Sequence, residues 1–245
     1  MNYTAVRKES LSAGVYRQLA DKILRGELPA GVSLPAEREL SEALGVNRGA
    51  VREAIKRLQQ AGLVAVRQGG VSRVLDYQNE GGLELLPHLL IGAEGQLHAG
   101  VVRSIMAMRS ALAPEIAAAA AKRGGAALAN ELDGVLLQMR GTRNDLKALQ
   151  DCALVFWQKL VGGADNIAFR LAFNSMTRTY TQVWDALRQV LAAEFRDFDN
   201  LAAIAAAVRA GQQTAAREAG RRHVELGRRA LDRALTALNP EGVAS

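Results

Sequence analysis

Arg48, Arg52 and Lys56 recur at every fourth residue, so on a helix their charged ends share one arc. Such groups donate hydrogen bonds and accept none, which suits them to phosphates and to the acceptor-rich edge of guanine. From Asn47 to Leu75 six basic residues stand against a single acid, Glu53, a local concentration of positive charge. A second set lies further on. Phe169, Phe173, Met176, Tyr180 and Trp184 follow a helical period and form an apolar stripe with a hydroxyl and an indole N–H as polar handles. Asn174 and Arg178 sit on or near the same helix, Arg109 stands among Ile105, Met108 and Leu112, and Arg221 and His223 fall on the last helix. These groups offer positive charge to an anionic small molecule. The stripe would serve equally as core, and the arginines equally as surface ion pairs.

The elements that position the first set can be read from spacing. Val15, Leu19 and Ile23 mark one face of a helix that ends near Gly26 and Pro29. Pro35 opens a second helix, with Ala36, Leu40, Ala43 and Leu44 expected inside. Gly45 breaks it, Val46 plugs the turn, and Asn47 caps a third helix from Arg48 to about Ala61. On that helix Val51, Ala54, Ile55 and Leu58 point inward, away from the cations. Two β-prone runs, Leu63 to Arg67 and Val71 to Leu75, flank Gln68-Gly69-Gly70 and predict a hairpin. A helix-turn-helix followed by a hairpin is a winged helix, whose second helix fills a major groove while the wing approaches the backbone.

The fold class expected for the whole is mainly α. A winged helix-turn-helix occupies residues 1–76, a linker 77–82, and an all-α bundle of six or seven helices 83–240. Alanine runs such as Ile116 to Ala121, and glycine punctuation at Gly124-Gly125, Gly141, Gly162-Gly163 and Gly211, predict helices at about 83–91, 97–123, 126–140, 145–161, 166–192, 196–210 and 212–238. Eight of the eleven aromatics lie between Phe156 and Phe198, where a bundle of this size can enclose a ligand. The 245 residues, +6 in formal charge, 49% hydrophobic and 23% charged, exclude disordered, collagen-like and disulfide-scaffold classes. No apolar run reaches membrane-helix length, no secretion signal is evident at the start, and Cys152 is the single cysteine. A cytoplasmic location is expected, with no membrane partner.

The segment LPAERELSEALGVNRGAVREAIKRLQQAGLV, with YRQLADKILRGELPAG before it, resembles the N-terminal domain of GntR-type bacterial transcription regulators. With an all-helical half behind it, the chain resembles the FadR-type subfamily, whose bundle binds an effector. The resemblance implies a homodimer on a short palindromic double-stranded DNA operator, with repression relieved by a small-molecule effector. It assigns DNA contacts to Arg38, to Asn47, Arg48, Gly49, Ala50 and Arg52, and to Gln68 and Gly69 of the wing; Lys56 and Arg73 add charge for phosphates. Gly49 and Ala50 are smaller than the hydroxyl residues often found there, so the operator sequence does not carry over.

Many members of the subfamily hold a metal with an Asp and a His four residues apart and two later histidines. Here Ala153 and Trp157 stand where the first pair would be, and Leu201 precedes His223 by 22 residues, so no metal and no other cofactor is expected. The branch lacking those ligands senses acyl-CoA; GGLELLPHLL and ADNIAFRLAFNSMTRTYTQ look similar to it, whereas Arg221-Arg222-His223-Val224 and Leu231 depart from it. The candidate effector residues are Arg109, Trp157, Phe173, Asn174, Arg178, Tyr180, Arg221 and His223. An enzyme is not expected: no nucleophile elbow or phosphate-cradling loop appears, although Cys152 with His223 can be nominated. A constitutive DNA-binding protein whose bundle only dimerises is the other alternative.

Overall fold

Three short helices build the first unit of the computed structural model, which describes residues 10–66, 72–92 and 95–238. Helix α1 spans Leu11–Leu24, α2 Glu37–Leu44 and α3 Arg48–Gln60. Val15, Leu19 and Ile23 of α1 meet Val51, Ala54, Ile55 and Leu58 of α3 in one core, as their spacing requires. Helix α2 begins two residues later than expected, after Pro35 and Ala36. Only Leu40 and Ser41 are fully buried on it, while Ala36 and Ala43 lie exposed. Two turns of helix offer a single narrow stripe, and Leu40 with the half-buried Leu44 fills it. Gly45 adopts φ +62°, the left-handed region open to glycine, and turns the chain toward α3.

The wing consists of β1 (Val64–Val66) and β2 (Ser72–Val74), antiparallel with Val64 opposite Val74 and Val66 opposite Ser72. Residues 31–34 add hydrogen bonds to β2, including Leu34 N to Ser72 O at 2.7 Å and Val74 N to Val32 O at 2.8 Å. The tip, with Gln68 and Gly69, lies outside the described residues.

Beyond the wing, α4 (Tyr77–Glu80), a single tight turn at Leu83–Leu85 and α5 (Leu86–Leu90) occupy the expected linker and first bundle helix. Leu85 is buried in the N-terminal core, with Tyr77 and Leu89 packed against it. The His88 Nδ1 lies 2.6 Å from the Tyr16 hydroxyl. The chain therefore divides between His98 and Ala99 rather than before residue 83.

The second unit is all helix: α6 Ala99–Arg123, α7 Gly125–Gly141, α8 Leu146–Gly163, α9 Ile167–Thr181, α10 Trp184–Val190, α11 Ala192–Phe195, α12 Phe198–Arg209 and α13 Gln213–Leu238. Its centre is apolar, built on Ile116, Leu132, Met139, Phe156, Leu160 and Ile204. The expected helix 166–192 breaks into α9 and α10, and α11 begins at its last position. Thr179 and Thr181 donate their hydroxyls to the carbonyls of Ser175 and Arg178, a local competition that ends α9. Gln150 of α8 then donates to the Trp184 carbonyl at 2.8 Å and fixes the break. Among the described residues no helix is long and apolar enough to cross a membrane.

Candidate nucleic-acid interface and ligand cavity

Helix α3 owes its start to Asn47, whose side-chain oxygen accepts from Ala50 N at 2.8 Å and satisfies one of the free amides of the first turn. Gly49 lies under that cap, where a Cβ would come within 3.2 Å of the Asn47 oxygen, and Ala50 is half-buried beside it. With the apolar face turned into the core, Arg48, Arg52 and Lys56 are exposed together. Arg48 makes no hydrogen bond or ion pair with any described residue. Arg52 is held by Glu37 of α2, donating from Nε at 3.2 Å and from Nη2 at 2.9 Å. That bond is the main reason the Glu37 carboxyl lies below its ordinary value. Lys56 pairs with Glu53 at 2.9 Å and Arg38 with Glu42 at 3.0 Å, both fully in solvent, where such pairs are weak and exchange readily. Arg73 donates through Nε to Gly31 O at 2.8 Å, so part of its guanidinium braces the loop beside β2.

The second unit holds a partly open cavity of about 90 Å³, well above the size of one water. Arg109, Trp157, Phe173 and Tyr180 line it, as do Met176 and Trp184 of the predicted stripe. Asn174, Arg178, Arg221 and His223 do not. Arg178 and Arg221 are exposed, Asn174 is half-buried, and His223 is buried against Trp157 with ring centroids 6.0 Å apart.

Sequence reasoning missed the partners of these groups. Arg109 is the one cation and Glu194 the one anion among the described lining residues, and they form a bidentate pair, with Arg109 Nη1 2.8 Å from Glu194 Oε2. Their side chains are 15% and 3% exposed. Burial works against the Arg109 charge, yet Glu194 raises its pKa above the ordinary value. Burial is also the main cause that pushes Tyr180, which donates to Met106 Sδ, up to about 12. The positive charge expected for an anionic ligand is thus neutralised within the wall.

Gly227 makes this pair fit: a Cβ there would stand 1.8 Å from Glu194 Oε2, so α13 can pass only with hydrogen in that place. A glycine inside an otherwise strongly helical run was the available signal. Asp197 caps α12, accepting from Asn200 N, and lies 2.9 Å from His223 Nδ1. Burial raises the Asp197 carboxyl, but the bonds from His223 and Asn200 outweigh it and hold the group below its ordinary value.

These residues do not fit the metal that the subfamily resemblance implies. Ala153 and Trp157 line the cavity at the two helical positions concerned, Trp157 packs its ring on His223, and the neighbouring carboxylate already carries the Arg109 cation. Among the described residues no three His, Cys, Asp or Glu side chains are grouped to hold an ion. Burial, followed by Asp151, pushes the Cys152 thiol up, opposite to what a nucleophile needs.

A winged helix presenting a capped, cation-bearing helix, followed by a helical unit with an apolar cavity, defines a transcription regulator with an effector domain. Residues 11–74 match the bacterial regulatory proteins of the gntR family, and residues 104–226 match the FCD domain. The chain belongs to the GntR family, in the branch whose second half is an FCD domain, the FadR-type C-terminal domain. It is 39% identical over 226 residues to the HTH-type transcriptional regulator Mce2R of Mycobacterium tuberculosis, covering 92% of this chain and 93% of that one. It is 29% identical over 109 residues to the fatty acid metabolism regulator protein of Vibrio cholerae, 44% of this chain and 39% of the relative. In fold it resembles Lar, which controls expression of the Listeria monocytogenes agr system, at 20% identity and a TM-score of 0.53 over 93% of this chain and 99% of that one.

Proposed function

We propose that two copies of this chain bind a palindromic operator, each laying α3 in the major groove of one half-site, and that an uncharged, mainly apolar effector in the cavity releases the DNA. The observation that carries the DNA half is the division of α3: Val51, Ala54, Ile55 and Leu58 are buried while Arg48, Arg52 and Lys56 stand in solvent beside a side-chain-capped N-terminus. Arg48, which makes no hydrogen bond or ion pair with a described residue, reads base edges. Arg52 does so while kept extended by Glu37. Lys56, Arg38 and Arg73 exchange their present partners for phosphates, and Asn47, Gly49 and Ala50 bring the helix N-terminus to the backbone. Gln68 and Gly69 complete the contact from the wing.

For the effector, the neutralised Arg109 and the aromatic and aliphatic wall support an apolar ligand over an anionic one. The name of the Vibrio cholerae relative, a fatty acid metabolism regulator, agrees with that chemistry. The effector-free protein on its operator represses, and the effector relieves that repression.

The DNA reading is tested by fluorescence anisotropy on fragments of the chain's own promoter region at two salt concentrations. Arg48→Ala costs about 1–3 kcal/mol on the operator and relaxes one base position per half-site. Lys56→Ala weakens operator and random duplex alike and flattens the salt dependence by about one phosphate contact. Equal loss on both duplexes for Arg48→Ala would remove it from base reading.

A further inference from the structure

Of the three acids on α2, Glu39 turns back to accept from Ala36 N and Glu42 pairs with Arg38, while Glu37 crosses to Arg52 of α3, 15 positions along the chain. The chain is anchored on both sides of it. Leu34 is buried and donates its N–H to Ser72 O of β2, and Leu40 is buried in the core. The Glu37 carboxylate also lies within the cationic arc. The bond from Arg52, followed by the charges of Arg52, Arg48 and Lys56, holds it ionised against the cost of burial.

The way Arg52 is held decides what it can still do. A guanidinium has a side edge, Nε with one hydrogen of Nη2, and an end edge, the other hydrogen of Nη2 with one of Nη1. Glu37 occupies the side edge: Nε lies 3.2 Å from both carboxylate oxygens and Nη2 lies 2.9 Å from Oε2. Nη1 has no acceptor among the described residues, so two parallel donors remain on the end edge. In the major groove adenine sets an acceptor beside a donor, and thymine sets one acceptor beside a methyl group. Guanine alone offers two acceptors side by side, O6 and N7. A phosphate can also accept through two oxygens, but it carries a charge that Glu37 repels.

The geometry points to Glu37 as the positioning residue through which Arg52 selects guanine. It closes one edge of the guanidinium, leaves the other open to solvent and cancels the charge that would draw Arg52 to phosphate. This rests on the reading of α3 as the base-reading helix. The two side chains are 61% and 34% exposed, yet a fork clasped through both of its side-edge donors holds better than the single contacts of Lys56 and Arg38.

Binding of the full-length chain to an operator fragment from its own promoter region and to a random duplex is measured by fluorescence anisotropy at two salt concentrations. Glu37→Gln keeps the side-chain length and removes the charge. The ratio of operator to random affinity is expected to fall about tenfold, because the operator loses an aimed donor pair while the random duplex gains a freed cation. Guanines of the half-site are also replaced one at a time by 7-deazaguanine, which lacks the N7 acceptor. One position should cost the unaltered chain about fivefold or more and cost Arg52→Ala nothing. In Arg52→Ala, Glu37→Gln should leave the ratio unchanged, since nothing remains for the carboxylate to position. An unchanged ratio in Glu37→Gln alone overturns the assignment and leaves the operator reading standing. So does an equal fall of the ratio in the Arg52→Ala background. A lowered melting temperature with equal loss on both duplexes means a structural role only and overturns it too. Equal binding of both duplexes by the unaltered chain removes the operator reading, and the assignment with it.

Discussion

At the scale of single residues, the Arg109–Glu194 pair shows how a buried charge is tolerated. Two parallel donor bonds compensate the desolvation of both ions, and removing one partner strands the other, which in buried pairs costs about 3–5 kcal/mol. Gly227 is where this arrangement meets helix propensity. Alanine is intrinsically the better helix former by about 1 kcal/mol, but its methyl group would strike the Glu194 carboxylate, which Arg109 grips through both oxygens. The clash wins, and Gly227→Ala is expected to destabilise the protein by about 1–3 kcal/mol. Gly134, exposed in α7 with nothing near its Cβ position, is the control: Gly134→Ala should stabilise by up to about 1 kcal/mol. Urea midpoints for the two variants must move in opposite directions; a gain in both would mean that Glu194 swings aside freely.

At the scale of elements, α5 docks on α1 through one polar contact with a measurable signature. Burial, with a smaller push from Arg57, holds the His88 imidazole below its ordinary 6.5. Burial also raises the Tyr16 hydroxyl to about 12, against the pull of Arg57, whose guanidinium stacks 4.5 Å over the Tyr16 ring. An unfolded chain takes a proton on His88 as the pH drops through about 6.5, and the folded chain does so only lower. The contribution of this site to stability is therefore complete at neutral pH and declines from about 6.5 downward. His88→Gln keeps an acceptor for Tyr16 and does not titrate, so its melting temperature should fall less steeply between pH 7 and 5 than that of the unaltered chain. Parallel slopes would mean that His88 takes up its proton equally well in the folded and unfolded chains. Such a contact was not legible in advance. The helix-turn-helix was, because its αL Gly45 and its cap Asn47 stand two residues apart and its inward residues on α3 recur at helical spacing, all local signals. Cavity walls were legible only in part: Phe173, Met176 and Tyr180 follow a period, whereas Glu194 lies on α11, in the gap left between the expected helices 166–192 and 196–210. Residues 77–92 read as a linker and bundle helix because their docking on the winged-helix core depends on contacts some 70 positions away, such as His88 with Tyr16.

At the scale of the whole molecule, regulation is a coupling free energy, and thermodynamic linkage makes it reciprocal. If the effector weakens operator binding by some factor, the operator must weaken effector binding by the same factor. For a coupling of about 1–3 kcal/mol that factor lies between about five and 150. Two observations separate this from a protein that only dimerises and binds DNA constitutively. A ligand that prefers the folded state raises the melting temperature by mass action, by an amount worth about 2.7 kcal/mol at a hundred times its Kd. That alone proves a binding site, not regulation. The decisive quantity is the Kd of such a ligand, read from the fluorescence of Trp157 and Trp184 in the cavity wall, with and without saturating operator: it should rise about five-fold or more when operator is present, and operator affinity should fall equally when the ligand is present. A melting shift with both dissociation constants unchanged would make the cavity a passenger, because a ligand with equal affinity for the two functional states shifts nothing, however tightly it binds.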